Sequence, residues 1–306
     1  MERAATLSTL PLRAQISHLP KFAWAVLIYN VAVVLWGALV RATKAGAGCG
    51  GHWPLCNGMV LPETMQAATR IEFTHRIMSG LAFIAVVALY VWARREFRAG
   101  HLARKCAGLA LTFIVIEALL GAGLVLFGYV AEDNSTGRIY ALALHLINTF
   151  LLLGSLALAA RYSSGFTAPA GPIAARVYAA LAAVVTVAVA GAITALGDTL
   201  FPVGSLAAGL QTNVSAAADF LVRLRVIHPL LAVVTTFFMA AVVWPVFRRT
   251  RSASATALLL SIFAAPAIGG MTILLRAPVW SQLLHLLAAD CVWIALVLFA
   301  DENRSA

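Results

Sequence analysis

The sequence predicts an all-α integral membrane protein: eight transmembrane helices arranged as two pseudo-symmetric four-helix bundles. Three observations predict it. The chain of 306 residues is 62% hydrophobic and only 11% charged, with a mean hydropathy of +0.91, whereas a soluble domain is about a quarter charged. Eight apolar runs are each long enough to cross a hydrocarbon core, which takes about 20 residues. Finally, a set of markers in the first half recurs in the same order in the second.

The spans are placed at 22–41, 73–93, 107–128, 140–160, 173–195, 221–247, 255–275 and 279–300. Each must be helical, because lipid offers backbone groups no hydrogen-bond partner. The segment 1–21 is polar and lacks the pattern of a cleavable leader, so the first run reads as a retained anchor. Of the 22 Lys and Arg, 14 fall on the side of the N-terminus, the 94–106, 161–176 and 248–254 loops, and the C-terminus. That side is then cytoplasmic, with both termini inside and the loops 42–72 and 196–220 outside. The net charge of +10 sits in short segments between apolar runs. This reads as topology and lipid-headgroup contact rather than nucleic-acid binding.

The repeat rests on paired markers. Gly37-Ala38-Leu39-Val40 closes helix 1 and Gly191-Ala192-Ile193-Thr194 closes helix 5. His75 and Trp92 of helix 2 correspond to His228 and Trp244 of helix 6. Gly121-Ala122-Gly123 of helix 3 corresponds to Gly269-Gly270 of helix 7, and His145 of helix 4 to His285 of helix 8. Domain limits follow: 1–21 an N-terminal cytoplasmic segment, 22–160 the first bundle, 161–176 a cytoplasmic linker, and 177–306 the second bundle. The two halves have the same orientation, related by an axis along the membrane normal.

Seven histidines are present. His18, His52 and His101 lie in polar segments and read as solvated. His75, His145, His228 and His285 lie in apolar helices, where an ionisable side chain is costly and usually faces a protein interior. Singly, each could hydrogen-bond a neighbouring helix. As a set they lie on the even helices, two to seven residues in, and so share one depth in the outer leaflet, one pair per half. Two histidines facing each other across a four-helix bundle can hold a heme iron. Zinc fits less well, since each half lacks four close Cys or His ligands. Arg76 and Arg225, near His75 and His228, are candidate contacts for heme propionates, which arginine pairs well with. Lipid-phosphate contact is the alternative.

Cys49 and Cys56 stand seven apart in the glycine-rich loop Ala45–Gly58. They read either as a staple or as a redox pair exchanging with an external thiol system. Cys106 and Cys291, at or in apolar runs, read as inert core residues. Glu72 precedes His75 by three residues and shares its helical face. It could be a helix-end charge, or an acid or base for the first pocket. Arg225 holds the matching place before His228, so the two pockets are chemically unequal. Glu117, mid-helix 3, is expensive to bury and reads first as a hydrogen bond to a neighbouring helix, with a role near the first pocket or a proton path as the alternative. Asp290 is placed to pair within helix 8.

These residues resemble the heme A synthase family over nearly the whole chain. The resemblance is carried by Glu72-Phe73-Thr74-His75-Arg76, by Cys49 with His52-Trp53-Pro54-Leu55-Cys56-Asn57-Gly58, by Ala195-Leu196-Gly197-Asp198-Thr199-Leu200-Phe201-Pro202, and by the four histidines. It implies oxidation of the C8 methyl of heme O to a formyl group, giving heme A for terminal oxidases. The methyl is hydroxylated twice and the gem-diol loses water. It implies that His228 and His285 hold a heme b cofactor, that His75 and His145 face the substrate heme, that Glu72 is essential beside it, and that Cys49 and Cys56 form a loop disulfide with a redox role. Partners implied are heme O as substrate, a heme O synthase and an electron donor; composition adds the lipid bilayer, and the short polar N-terminal segment fits a bacterial plasma membrane, with a homo-oligomer left open. Some relatives carry a second cysteine pair in the later outer loop, and 196–220 has none. Two other readings compete: a bis-histidine diheme b-type electron-transfer cytochrome, and a transporter.

Overall fold

The computed structural model describes residues 18–63, 66–202, 205 and 220–304. Most of the N-terminal segment and of the 203–219 stretch lies outside the described residues. The described chain forms eight long helices and no strand elements. They are α1 Leu19–Ala42, α2 Ala67–Glu96, α3 Leu102–Leu126, α4 Thr136–Ser163, α5 Ala175–Leu200, α6 Phe220–Thr250, α7 Ala253–Leu274 and α8 Val279–Glu302. All eight are long and apolar enough to span a membrane. The chain is a multi-pass membrane protein.

Local signals explain the ends. Pro20 sits in the first turn of α1, where its missing N–H would be unpaired in any case. His101, Ser135 and Ser252 cap α3, α4 and α7 by accepting backbone N–H groups of Ala103, Arg138 and Ala255. Three prolines lie inside helices, Pro229 and Pro245 in α6 and Pro266 in α7. Each removes one intrahelical hydrogen bond. For Pro266 the carbonyl so released, that of Ile262, receives the Thr236 hydroxyl at 3.4 Å from α6, which is how lipid-embedded helices tolerate proline.

Helices α1–α4 pack in a ring, α1 on α2, α2 on α3, α3 on α4, and α4 back on α1; α5–α8 do the same. The two rings meet through α1, α4, α5 and α8. Most of the buried side chains lie in one shared cluster that includes Phe150, Leu153, Leu156, Leu296 and Phe299. The contact between α4 and α8 is also polar. Trp293 Nε1 donates to the Phe150 carbonyl at 2.5 Å, and the Tyr162 hydroxyl donates to Asp301 at 2.5 Å. Arg41 of α1 clasps the other end. It donates to the Ala195 carbonyl at 2.6 Å and the Thr199 hydroxyl at 2.9 Å of α5, and to Gln282 of α8 at 3.0 Å. The flanks α2, α3, α6 and α7 expose apolar side chains such as Leu81, Leu119, Phe237 and Leu260, as a lipid-facing surface should.

The structure extends two sequence expectations. Helix α2 begins at Ala67, not 73, so Arg70 and Glu72 are helical. Helix α5 runs on to Leu200, so most of the Ala195–Pro202 motif is helix rather than loop. Asp290 is fully buried in α8, yet neither carboxylate oxygen meets a hydrogen-bond partner among the described residues, so it does not pair within its helix. Cys106 is buried, but Cys291 is exposed on the helix surface.

Candidate functional site: four histidines on four glycines

The four buried-helix histidines lie eight, nine, eight and six residues after the first residue of α2, α4, α6 and α8. At ~1.5 Å per residue they fall within about one turn of a common depth, slightly deeper than the sequence suggests. What holds them is a contact that spacing alone cannot reveal. Each ring lies against a glycine of the preceding helix. A Cβ built at Gly37 would stand 3.0 Å from His75 Cε1, and one at Gly191 only 2.8 Å from His228 Cε1. At Gly269 it would stand 2.9 Å from His285 Cε1, and at Gly121 3.9 Å from His145 Nε2. These are the glycines that mark the repeat in the sequence. Their use is close approach: three of the four rings occupy space that any other residue would fill.

His228 and His285 form the second-half pair, with ring centroids 6.2 Å apart and planes at 71°. Two imidazoles bound in line through one nitrogen each to a single metal need about 6.3 Å. That figure combines metal–nitrogen bonds near 2.0 Å with a nitrogen about 1.1 Å from the centre of a ring of ~1.33 Å bonds. The spacing therefore fits bis-histidine ligation of heme. No side chain among the described residues hydrogen-bonds Nδ1 of His75, His228 or His285; the backbone of Val187 and of Ala265 faces the latter two.

The first-half pair differs. His75 and His145 lie within electrostatic range of each other and of Glu117. His145 Nδ1 is 2.9 Å from Glu117 Oε1. The same carboxylate receives Asn148 Nδ2 at 2.6 Å and faces the Thr149 hydroxyl at 2.5 Å. Glu117 thus bonds to the neighbouring helix, as the sequence suggests, and its partner there is a pocket histidine, which the sequence does not reveal.

Glu72 is buried, and its two oxygens have separate duties. Oε2 accepts the backbone N–H of Cys49 at 2.8 Å, and Oε1 accepts Arg76 at 2.5 Å. Arg76 also donates to the carbonyls of His52 and Leu55, at 2.6 and 2.5 Å. Cys49 and Cys56 are joined by a disulfide. The loop is pressed on the start of α2: the Thr69 hydroxyl donates to the Gly48 carbonyl at 2.8 Å, and a Cβ at Gly48 would collide with the Ala68 backbone. Glu72 and Arg76 therefore tie the disulfide loop over the helix that carries His75.

The second half uses the opposite charge in the same register. Arg225, three residues before His228, pairs with Asp198 at 2.6 Å and donates to the carbonyls of Gly197 and Phe201 at 3.1 and 2.5 Å. Arg76 and Arg225, the candidate propionate contacts, thus hold the connections that border their pockets. Asp198, the charge partner of Arg225, has as its only sequence signal its place in the Ala195–Pro202 motif. His52 and His101 stand outside both pockets; His101 stacks on Phe97 at 4.1 Å.

The chain is similar to known proteins. Residues 20–297 match the COX15-CtaA family, described as cytochrome oxidase assembly protein. A protoheme IX farnesyltransferase of Thermus thermophilus is 46% identical over 298 residues, covering 94% of this chain and 48% of that protein. Heme A synthases of Halalkalibacterium halodurans and Lysinibacillus sphaericus are 46% identical over 98 residues and 40% over 113. Those matches cover 32% and 36% of this chain, and 33% and 36% of the relatives. The chain thus spans about half or less of the length of these relatives. With a match over nearly all of its eight-helix span, the chain belongs to the COX15-CtaA family of cytochrome oxidase assembly proteins.

Proposed function

We propose that the chain is a heme A synthase: it oxidises the C8 methyl of heme O to a formyl group, using a heme b cofactor. The observation that carries the reading is the pair of unequal histidine pockets. His228 and His285, seated on Gly191 and Gly269, are spaced for an iron between them and would hold heme b, which supplies electron transfer. His75 and His145, seated on Gly37 and Gly121, would receive the substrate heme. The recurrence of a glycine opposite each histidine, in close approach at Gly37, Gly191 and Gly269, supports a pseudo-symmetric pair of bundles, with limits near 22–160 and 177–306.

The chain's own residues do the rest. Among the described residues, Glu72 is the buried carboxylate that bonds the loop beside the first pocket. It is placed to hold or move a proton at the substrate edge, while Arg76 fixes its orientation. The Cys49–Cys56 loop would cover the pocket mouth and exclude water; both cysteines are buried, so exchange with an external thiol would require the loop to open first. Propionates would compete for Arg76 and Arg225 with the loop carbonyls. The charge bias puts both termini in the cytoplasm and the disulfide loop on the oxidising side of a bacterial plasma membrane.

Prenyl transfer, the activity in the name of the Thermus thermophilus relative, we assign to the half of that protein outside the match. Heme O would then be supplied by a separate heme O synthase, and an electron donor completes the partners.

The test is heme extraction and chromatography of the purified chain after expression with a heme O source. Heme B together with heme O and heme A, or a hydroxylated intermediate, is expected. Heme B alone at about two per chain, with heme O untouched, would favour a diheme electron-transfer cytochrome.

A further inference from the structure

The residue one helical turn before each cradle glycine lies on the same stripe of its helix. In order these residues are Val33, Glu117, Val187 and Ala265. Three are apolar and one is a carboxylate. Where the residue is apolar, no side chain among the described residues reaches Nδ1 of the seated histidine, and His228 and His285 have only backbone groups there. Where it is Glu117, Nδ1 of His145 has an oxygen at 2.9 Å. The His145 ring also stands farther from its glycine than the other three rings do. A carboxylate this deep in an apolar span is costly. It is retained with Asn148, Thr149 and His145 around its two oxygens.

We propose that Glu117 is a positioning residue for the first pocket: it holds the Nδ1 side of His145, turns Nε2 toward the bound heme, and makes His145 a stronger electron donor to iron than the other three histidines. The inference rests on the heme reading above. A hydrogen bond from a ligand imidazole to a carboxylate fixes the tautomer and raises ligand basicity, and losing such a partner changes metal affinity by about 10- to 100-fold. A more basic ligand favours ferric over ferrous iron. The two pockets therefore differ in potential by construction, with the first-pocket iron held more oxidised than its histidines alone would hold it.

The test is a spectroelectrochemical titration of the heme-loaded chain in membranes, comparing wild type with Glu117→Gln. The His228→Ala background assigns the first-pocket wave. The glutamine keeps the shape and removes the charge. The first-pocket midpoint is expected to rise by at least the equivalent of a tenfold change in ferric preference, about 59 mV for one electron, while the second-pocket midpoint stays. An unchanged midpoint with heme still bound overturns the proposal. So does an equal shift in Asn148→Ala, which loosens the packing and leaves Glu117 on His145. Should Glu117→Gln not fold, His145→Gly supplied with imidazole or with 1-methylimidazole decides. Imidazole can donate N–H to Glu117 and should restore the wild-type midpoint; the methylated ligand cannot and should leave it high. Equal midpoints with both overturn the proposal. A wild-type first pocket that binds no heme would instead overturn the heme reading itself.

Discussion

Adding one methyl group at Gly191 should empty the second heme site without unfolding the protein. In Gly191→Ala the new Cβ would lie 2.8 Å from His228 Cε1 and 3.3 Å from both ring nitrogens. Carbon atoms in contact prefer about 3.5–4.0 Å, so the ring must retreat by roughly 0.7 Å or more. Metal–ligand distances tolerate about 0.2 Å, so the displacement is some three times what ligation allows. Heme occupancy of that site should fall by the 10- to 100-fold typical of a lost ligand support. Stability should move less. Overpacking costs about 1–3 kcal/mol, and replacing glycine by alanine inside a helix returns up to about 1 kcal/mol. Gly269→Ala, at 2.9 Å, should behave alike, and Gly37→Ala, at 3.0 Å, should weaken the first site. Gly121→Ala is the control: its Cβ would meet His145 at 3.9 Å, an ordinary contact. Pyridine hemochrome per chain, read beside size-exclusion profiles in detergent, measures both quantities. Full heme in Gly191→Ala, or equal loss in Gly121→Ala, would refute the cradle argument.

Other substitutions probe the remaining parts of the site. Glu72→Gln should keep heme b bound and abolish conversion of heme O; a normal yield of heme A in that variant removes Glu72 from the reaction. His228→Ala should lose the b-type spectrum more completely than His75→Ala, and equal loss would mean two equivalent cofactor sites. Asp198→Asn strips the charge partner from Arg225, a pair largely enclosed by protein. A broken buried pair costs about 3–5 kcal/mol, so a lowered Tm with altered second-site heme binding is expected, and an unchanged melting curve would show that the pair is dispensable.

Much of this was legible in the sequence because lipid imposes simple rules. Eight apolar runs of the right length admit one backbone conformation, and eight helices are found. Their ends were less legible. Ala67–Glu72 and Leu196–Leu200 are helical because loop and charge contacts continue the helices beyond the apolar run; Gly48, Thr69 and Arg225 supply such contacts. The four histidines stand out as polar residues in apolar helices. The glycines beneath them also stand out, but only as repeat markers, since a helix-to-helix contact leaves no periodicity. Glu117 and His145 are 28 residues apart on different helices, so only the fold joins them. Asp290 departs from the expected pairing because its apolar helix places no hydrogen-bond partner at its carboxylate among the described residues.

The Arg41 clasp has a consequence in time. Its three acceptors lie 154, 158 and 241 residues along the chain. Ribosomes add about 5–20 residues per second, so the guanidinium of α1 waits roughly 10–50 s after its own synthesis before Gln282 exists. Ala195 and Thr199 become available earlier in that interval, and Gln282 completes the clasp last. The helix that ends the wait, α8, also brings Trp293 to Phe150 and Asp301 to Tyr162. Nascent chains arrested before α8 should therefore persist as loosely associated helices, open to membrane proteases, and acquire resistance in a single late step.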